Sequence, residues 1–220
     1  MTDKIKHHLS DDLLMAYSAG LLSEAFSLMV ATHVSLCDTC RAQLESFDAV
    51  GGAILEGSAP QIPQVAMSPD AIEAIFAAID LAPASETAAA QRKKGIFPAP
   101  LQDYVGGDLA AVKWRPVGMG VKQAILPTAK GATARLLYIP AGAAVPDHSH
   151  NGTELTMVLK GAFSDEIDSF ARGDVETADQ DVTHTPVADI SEDCICLAVT
   201  DAPLKFKGLI PRMLQPFLRI

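Results

Sequence analysis

The sequence predicts a two-part molecule: a small N-terminal domain of four helices, a connecting segment, and an all-β barrel or double-sheet sandwich. Three observations predict it. Within residues 1–82, apolar side chains recur at three- and four-residue steps between capping residues. Over 83–102 the composition turns to Ala, Pro and charge, as in "PASETAAAQRKKGIFPAP", which reads as an interdomain linker. From 103 to 220, short runs rich in β-branched residues alternate with Gly and Pro.

In the first helix, "SDDLLMAYSAG", Ser10 is the expected N-cap, Asp11 and Asp12 sit in the first turn, and Gly20 is the stop. The second starts at Ser23 and carries Phe26, Leu28, Met29 and Val30. The third, from "CDTC" onward, places Leu44, Phe47, Val50 and Ile54 on one side, with Gly51 and Gly52 weakening its middle. A Pro- and Ser-containing loop leads to the fourth, with Ser68 as N-cap and Pro69 at its first position. Ile72, Ile75, Phe76 and Ile79 form its apolar stripe. Beyond the linker the expected strands are "VKWRPV", "VKQAILP", "ARLLYIP", "TELTMVLKGAF", "DVETA" and "CICLAVT".

The bulk numbers narrow the function. At 49% hydrophobic and 20% charged residues the chain has the composition of a folded protein, not a disordered one. A net charge of -10 excludes wrapping nucleic acid, which needs clustered Lys and Arg, but suits a basic protein partner. No apolar h-region precedes the first acids and no membrane-length apolar run exists, so the expected compartment is the cytoplasm. There, paired cysteines are read first as metal ligands or redox groups.

Two constellations carry chemistry. "ATHVSLCDTC" holds His33, Cys37 and Cys40. The i, i+3 spacing puts both sulfurs on one face of a helix N-terminus, and the preceding turn can bring His33 to the same point. These ligands suit tetrahedral zinc. The fourth should be His7 or His8, of which His8, nearer the helix cap, is better fixed. The second lies in "PAGAAVPDHSHNGTELTMVLKGAF". In a strand His148 and His150 share a side and could share one metal, with Glu154 entering after the Asn151-Gly152 turn. Cys194 and Cys196 share a strand face in "DCICLAV"; packing is the plain reading and redox sensing the alternative.

The early His followed by H-x3-C-x2-C, on a small helical domain, resembles the zinc-binding anti-sigma family at all four positions: His8, His33, Cys37 and Cys40. That resemblance implies a helical domain that binds an extracytoplasmic-function (ECF) sigma factor and blocks its contact with core RNA polymerase. The pattern G-x5-H-x-H-x3-E-x6-G from Gly142 to Gly161, with Gly173 and His184 downstream, resembles the cupin double motif. It implies an all-β cupin barrel with a metal on His148, His150, Glu154 and His184. Zinc fits, as would iron, manganese or nickel. The second half departs from the family at Asp179, Asp181 and Ala188, where Pro, Gly and Asn are usual.

The pairing of both modules, with stretches such as "SEAFSL", "GVKQAILPT", "DCICLA" and "QPFLRI", resembles anti-sigma factors of the photooxidative stress response. It implies a one-to-one complex with an ECF sigma factor of the sigma-E type, released when singlet oxygen or related oxidants are sensed through the cupin. It also implies no catalytic activity and no DNA or membrane binding. The alternative is a metal-dependent cupin enzyme, an oxygenase or isomerase, with a helical zinc module. Against it, no arginine or lysine lies between Gly142 and Glu154 to bind an acid substrate.

Overall fold

The computed structural model describes residues 5–57, 67–81, 95–145, 148–149, 151–179, 183–203 and 205–206. Among the described residues four helices come first: α1 (Asp11–Ser18), α2 (Glu24–Val34), α3 (Asp38–Gly57) and α4 (Ala71–Leu81). The Ser10 hydroxyl accepts from the Leu13 N–H at 3.4 Å, and the chain leaves α1 through Gly20 at a φ of 68°. α2 is the central helix. Ala25, Phe26, Leu28, Met29, Val30, Thr32 and His33 are all buried, so it is covered nearly all round. α3 continues through Gly51 and Gly52, buries Cys40 and Leu44, and leaves Val50, Ile54 and Leu55 exposed.

A fifth helix, α5 (Ala99–Val105), begins inside the stretch read as linker. Phe97 and Leu101 are buried in the main core, and the Asp108 carboxylate accepts from the N–H groups of Ile96 and Phe97, each at 2.9 Å. Residues 95–102 are therefore packed structure; residues 82–94 lie outside the described residues.

Among the described residues twelve strands follow: β1 (Arg115–Gly118), β2 (Val121–Ile125), β3 (Thr133–Ile139), β4 (His148–Ser149), β5 (Glu154–Lys160), β6 (Ala162–Ser164), β7 (Ser169–Ala171), β8 (Val175–Ala178), β9 (Thr183–His184), β10 (Val187–Ala188), β11 (Cys194–Thr200) and β12 (Lys205–Phe206). A six-stranded antiparallel sheet in the order β1-β2-β3-β11-β5-β8 is completed by two three-stranded sheets, β10-β6-β7 and β12-β4-β9.

The large sheet is covered on both faces, which explains why β5 and β11 read as nearly unbroken apolar runs. On one face Leu136, Leu155, Met157, Leu159, Ile195, Leu197 and Val199 join α2 and α5 residues in one core. On the other, Val121, Ile139, Val158, Phe163, Cys194 and Cys196 fill the barrel interior. α2 lies against β3, β5 and β11, so the helical part and the barrel share a core.

The N-terminal segment straps the two parts together. The Asp174 carboxylate accepts from the N–H groups of Lys6 (2.6 Å) and His7 (2.9 Å), and the Val175 N–H donates to the His7 carbonyl at 3.2 Å. Gly173, at a φ of 92°, lets Ile5 close in: a Cβ there would lie 2.6 Å from the Ile5 side chain.

Candidate metal centres

The turn between α2 and α3 puts His33 one residue before the end of α2, Cys37 just before α3, and Cys40 in its first turn. The strap brings His8 to the same point. His8 Nδ1 lies 3.3 Å from Cys37 Sγ and 3.5 Å from Cys40 Sγ, and His33 Nε2 lies 3.2 Å from Cys40 Sγ. One ligand atom from each of the four residues falls within 4.8 Å of the others. A tetrahedral zinc with bonds of about 2.0–2.3 Å sets its ligands roughly 3.3–3.8 Å apart, so the donors match its shape and its chemistry.

The surroundings favour a metal. Burial pulls the His33 imidazole down to about 4, so it is neutral and ready to ligate. Burial also pushes the Cys40 thiol up to about 11, with the nearby Cys37 adding to it. A divalent cation reverses that preference by taking the thiolates as ligands. His7, the other choice for the fourth ligand, faces the barrel instead: its Nε2 lies 3.2 Å from Asp168 Oδ2, and its ring is 4.5 Å from that of Phe170.

In the barrel, His148 on β4 and His184 on β9 are direct cross-strand partners. Glu154 opens β5, is buried, and accepts from the Thr156 hydroxyl at 2.9 Å. Its charge reaches the His184 ring. His150 lies outside the described residues.

Two residues that the motif does not contain complete the surroundings of His184. Its Nδ1 is 2.7 Å from Glu176 Oε1 and 3.2 Å from Asp165 Oδ2. Burial alone would lower this imidazole, but the Glu176 hydrogen bond and charge, the Asp165 hydrogen bond and the Glu154 charge lift it to about 9. A histidine whose Nδ1 is held by carboxylates presents Nε2 to a metal, the usual arrangement around a ligating imidazole. In the sequence Glu176 is one polar residue of the short strand run "DVETA" and Asp165 lies in a polar turn, and neither carries a ligand spacing.

Cys194 and Cys196 face the barrel interior with their sulfurs 3.5 Å apart, and both are buried. The hydrogen bond from Cys194 and burial push the Cys196 thiol well above its ordinary value. Packing is what this arrangement performs as it stands.

A helical module with a Cys2His2 cluster able to hold a metal is packed on a barrel that carries a histidine–carboxylate cluster, the arrangement expected of an anti-sigma module joined to a cupin. The comparisons make the class specific. Residues 102–204 match the ChrR cupin-like domain family. The chain is 56% identical over 216 residues to the anti-sigma-E factor ChrR of Cereibacter sphaeroides, covering 98% of this chain and 99% of that one. It also matches the crystal structure of Rhodobacter sphaeroides SigE in complex with the anti-sigma ChrR, at 54% identity and a TM-score of 0.76, covering 90% of this chain and all of that one. This chain belongs to the ChrR family of anti-sigma factors.

Proposed function

We propose that this protein binds an ECF sigma factor of the sigma-E type in a one-to-one complex in the cytoplasm and holds it inactive, releasing it under oxidative stress such as singlet oxygen. The observation that carries this reading is the near full-length identity to an anti-sigma-E factor, a protein seen bound to SigE. The structure supports it with a surface left exposed among the described residues. Ile72, Ile75, Phe76 and Ile79 on α4 are all more than half exposed, an apolar helix face of the kind a partner groove covers. No described helix is long and apolar enough to cross a membrane.

In this reading 1–82 is the inhibitory domain, 83–102 the connection and 103–220 the sensing domain. His8, His33, Cys37 and Cys40 hold zinc, which fixes the helical domain in its binding shape. His148, His150, Glu154 and His184 hold the second metal, zinc or another divalent transition metal. β8 supplies the link between the centres. Its Glu176 holds His184, and Asp174, just before it, holds the strap that delivers His8. Losing a ligand in the barrel would release Glu176 and loosen β8 under the strap. Cys194 and Cys196 remain redox candidates, but oxidising either requires the barrel to open first.

The test is co-expression with the ECF sigma factors of the host, gel filtration of the product, and metal analysis. A one-to-one complex with about two metals per chain is expected. Metal without any bound sigma factor would count against the reading. The sensing role has its own test: the combined His148→Ala, His150→Ala and Glu154→Ala variant should keep its sigma factor after singlet-oxygen exposure. Normal release by that variant removes the role.

A further inference from the structure

The barrel interior contains a cation that neither metal centre uses. Arg135 stands on β3, and cross-strand partners run Ile125, Arg135, Ala198, Thr156, Glu176 across β2, β3, β11, β5 and β8. Residues in one such row share a face. Thr156 and Glu176 face inward, so Arg135 does as well. No arginine lies in the histidine motif proper; the fold supplies this one from a different strand.

Arg135 is only 5% exposed, and its Nε and Nη1 are buried with no hydrogen-bond partner among the described residues. Burial lowers its affinity for a proton, and the charge of Glu154 opposes this without offsetting it. Leaving guanidinium N–H groups unmet is costly, and an apolar residue of similar volume would serve packing better. Once Glu154 serves as a metal ligand, its charge is committed and no other counter-charge acts on Arg135 among the described residues. Beside Arg135 the wall is mixed and incompletely covered: Ile125 in the same row is 39% exposed, and one row on the half-buried Leu137 pairs with the buried Gln123. Glu154 and Glu176 disfavour a multiply charged anion such as phosphate. A single carboxylate with a short apolar tail suits one guanidinium set beside Ile125 and Leu137.

We propose that the barrel is a receptor for a small apolar monocarboxylate, its carboxylate paired with Arg135 beside the metal and its tail against Leu137 and Ile125. This rests on the reading of Glu154 as a metal ligand. The experiment is thermal unfolding of the zinc-loaded full chain against rising butyrate or benzoate, with butyramide and benzamide as neutral isosteres and metal content measured in parallel. The acids should raise the midpoint as binding to the folded state requires, and the amides should not. In Arg135→Met the half-maximal concentration should rise at least about tenfold, while the ligand-free variant is no less stable than the wild type. No acid-specific shift, or an equal shift in Arg135→Met, overturns the proposal. If Arg135→Met does not fold, Arg135→Lys decides: weakened binding supports the guanidinium pairing and unchanged binding refutes it. One metal per chain defeats the barrel-metal reading and, with it, the pairing beside a metal. Two metals without an acid-specific shift keep the barrel-metal reading and overturn the receptor alone.

Discussion

Successive side chains of an extended segment point to opposite sides, and His7 and His8 use that alternation for different contacts. His8 meets both cysteines at 3.3 and 3.5 Å, whereas His7 turns to Asp168 and Phe170 on the barrel. Composition cannot tell these neighbours apart; the direction of the backbone does. His8→Ala should lower zinc affinity at the helical centre by more than about 100-fold and cost helical signal, because metal binding and folding are coupled there. His7→Ala should stay within about tenfold of the wild type, the scale of a supporting contact. Competition with a chromogenic chelator measures both. Equal losses in the two variants would mean that His7 shares the ligand role.

Among the elements, the strap and β8 govern communication between the two centres. Asp174 accepts from Lys6, His7 and Ala171 at 2.6, 2.9 and 2.9 Å. Burial opposes its ionisation, but these N–H groups outweigh it and hold the carboxyl below its usual range. Asp174→Ala would strand those donors, and hydrogen bonds to a charged acceptor are the costly ones to lose. The expected loss is about 2–4 kcal/mol in denaturant unfolding. Hydrogen exchange should also quicken at the Lys6 and His7 amides, where the strap lifts from the barrel. Unchanged exchange at those amides would show that the shared core alone docks the N-terminus, and that β8 does not link the centres.

At the scale of the whole molecule, what could be read in advance was local. Ser10 as a cap and the close spacing of His33, Cys37 and Cys40 all lie within one or two turns of chain, where spacing determines direction. Strands such as β5 and β11 were legible from their apolar runs. What was not legible depends on distant pairing: Asp165 and Glu176 on His184, Arg135 inside the barrel, and the burial of Phe97 and Leu101 in a stretch whose composition reads as linker. The same long-range coupling governs unfolding. α2 and the outer face of the sheet bury one continuous core, with Met29 and Leu136 both fully buried in it. The single tryptophan, Trp114, reports on the barrel from beside Tyr138, their rings 5.9 Å apart, while far-ultraviolet dichroism is dominated by the helices. If the core is shared, the two signals should change at the same temperature, as in an all-or-none transition. Met29→Ala, a cavity mutation costing about 2–5 kcal/mol, should lower both midpoints together. Stripping the helical metal with a chelator should do the same. A helical midpoint that falls while the Trp114 midpoint stays in place would show that the barrel stands without the helices. In that case a signal received in the barrel would need the β8 strap alone to reach the inhibitory domain.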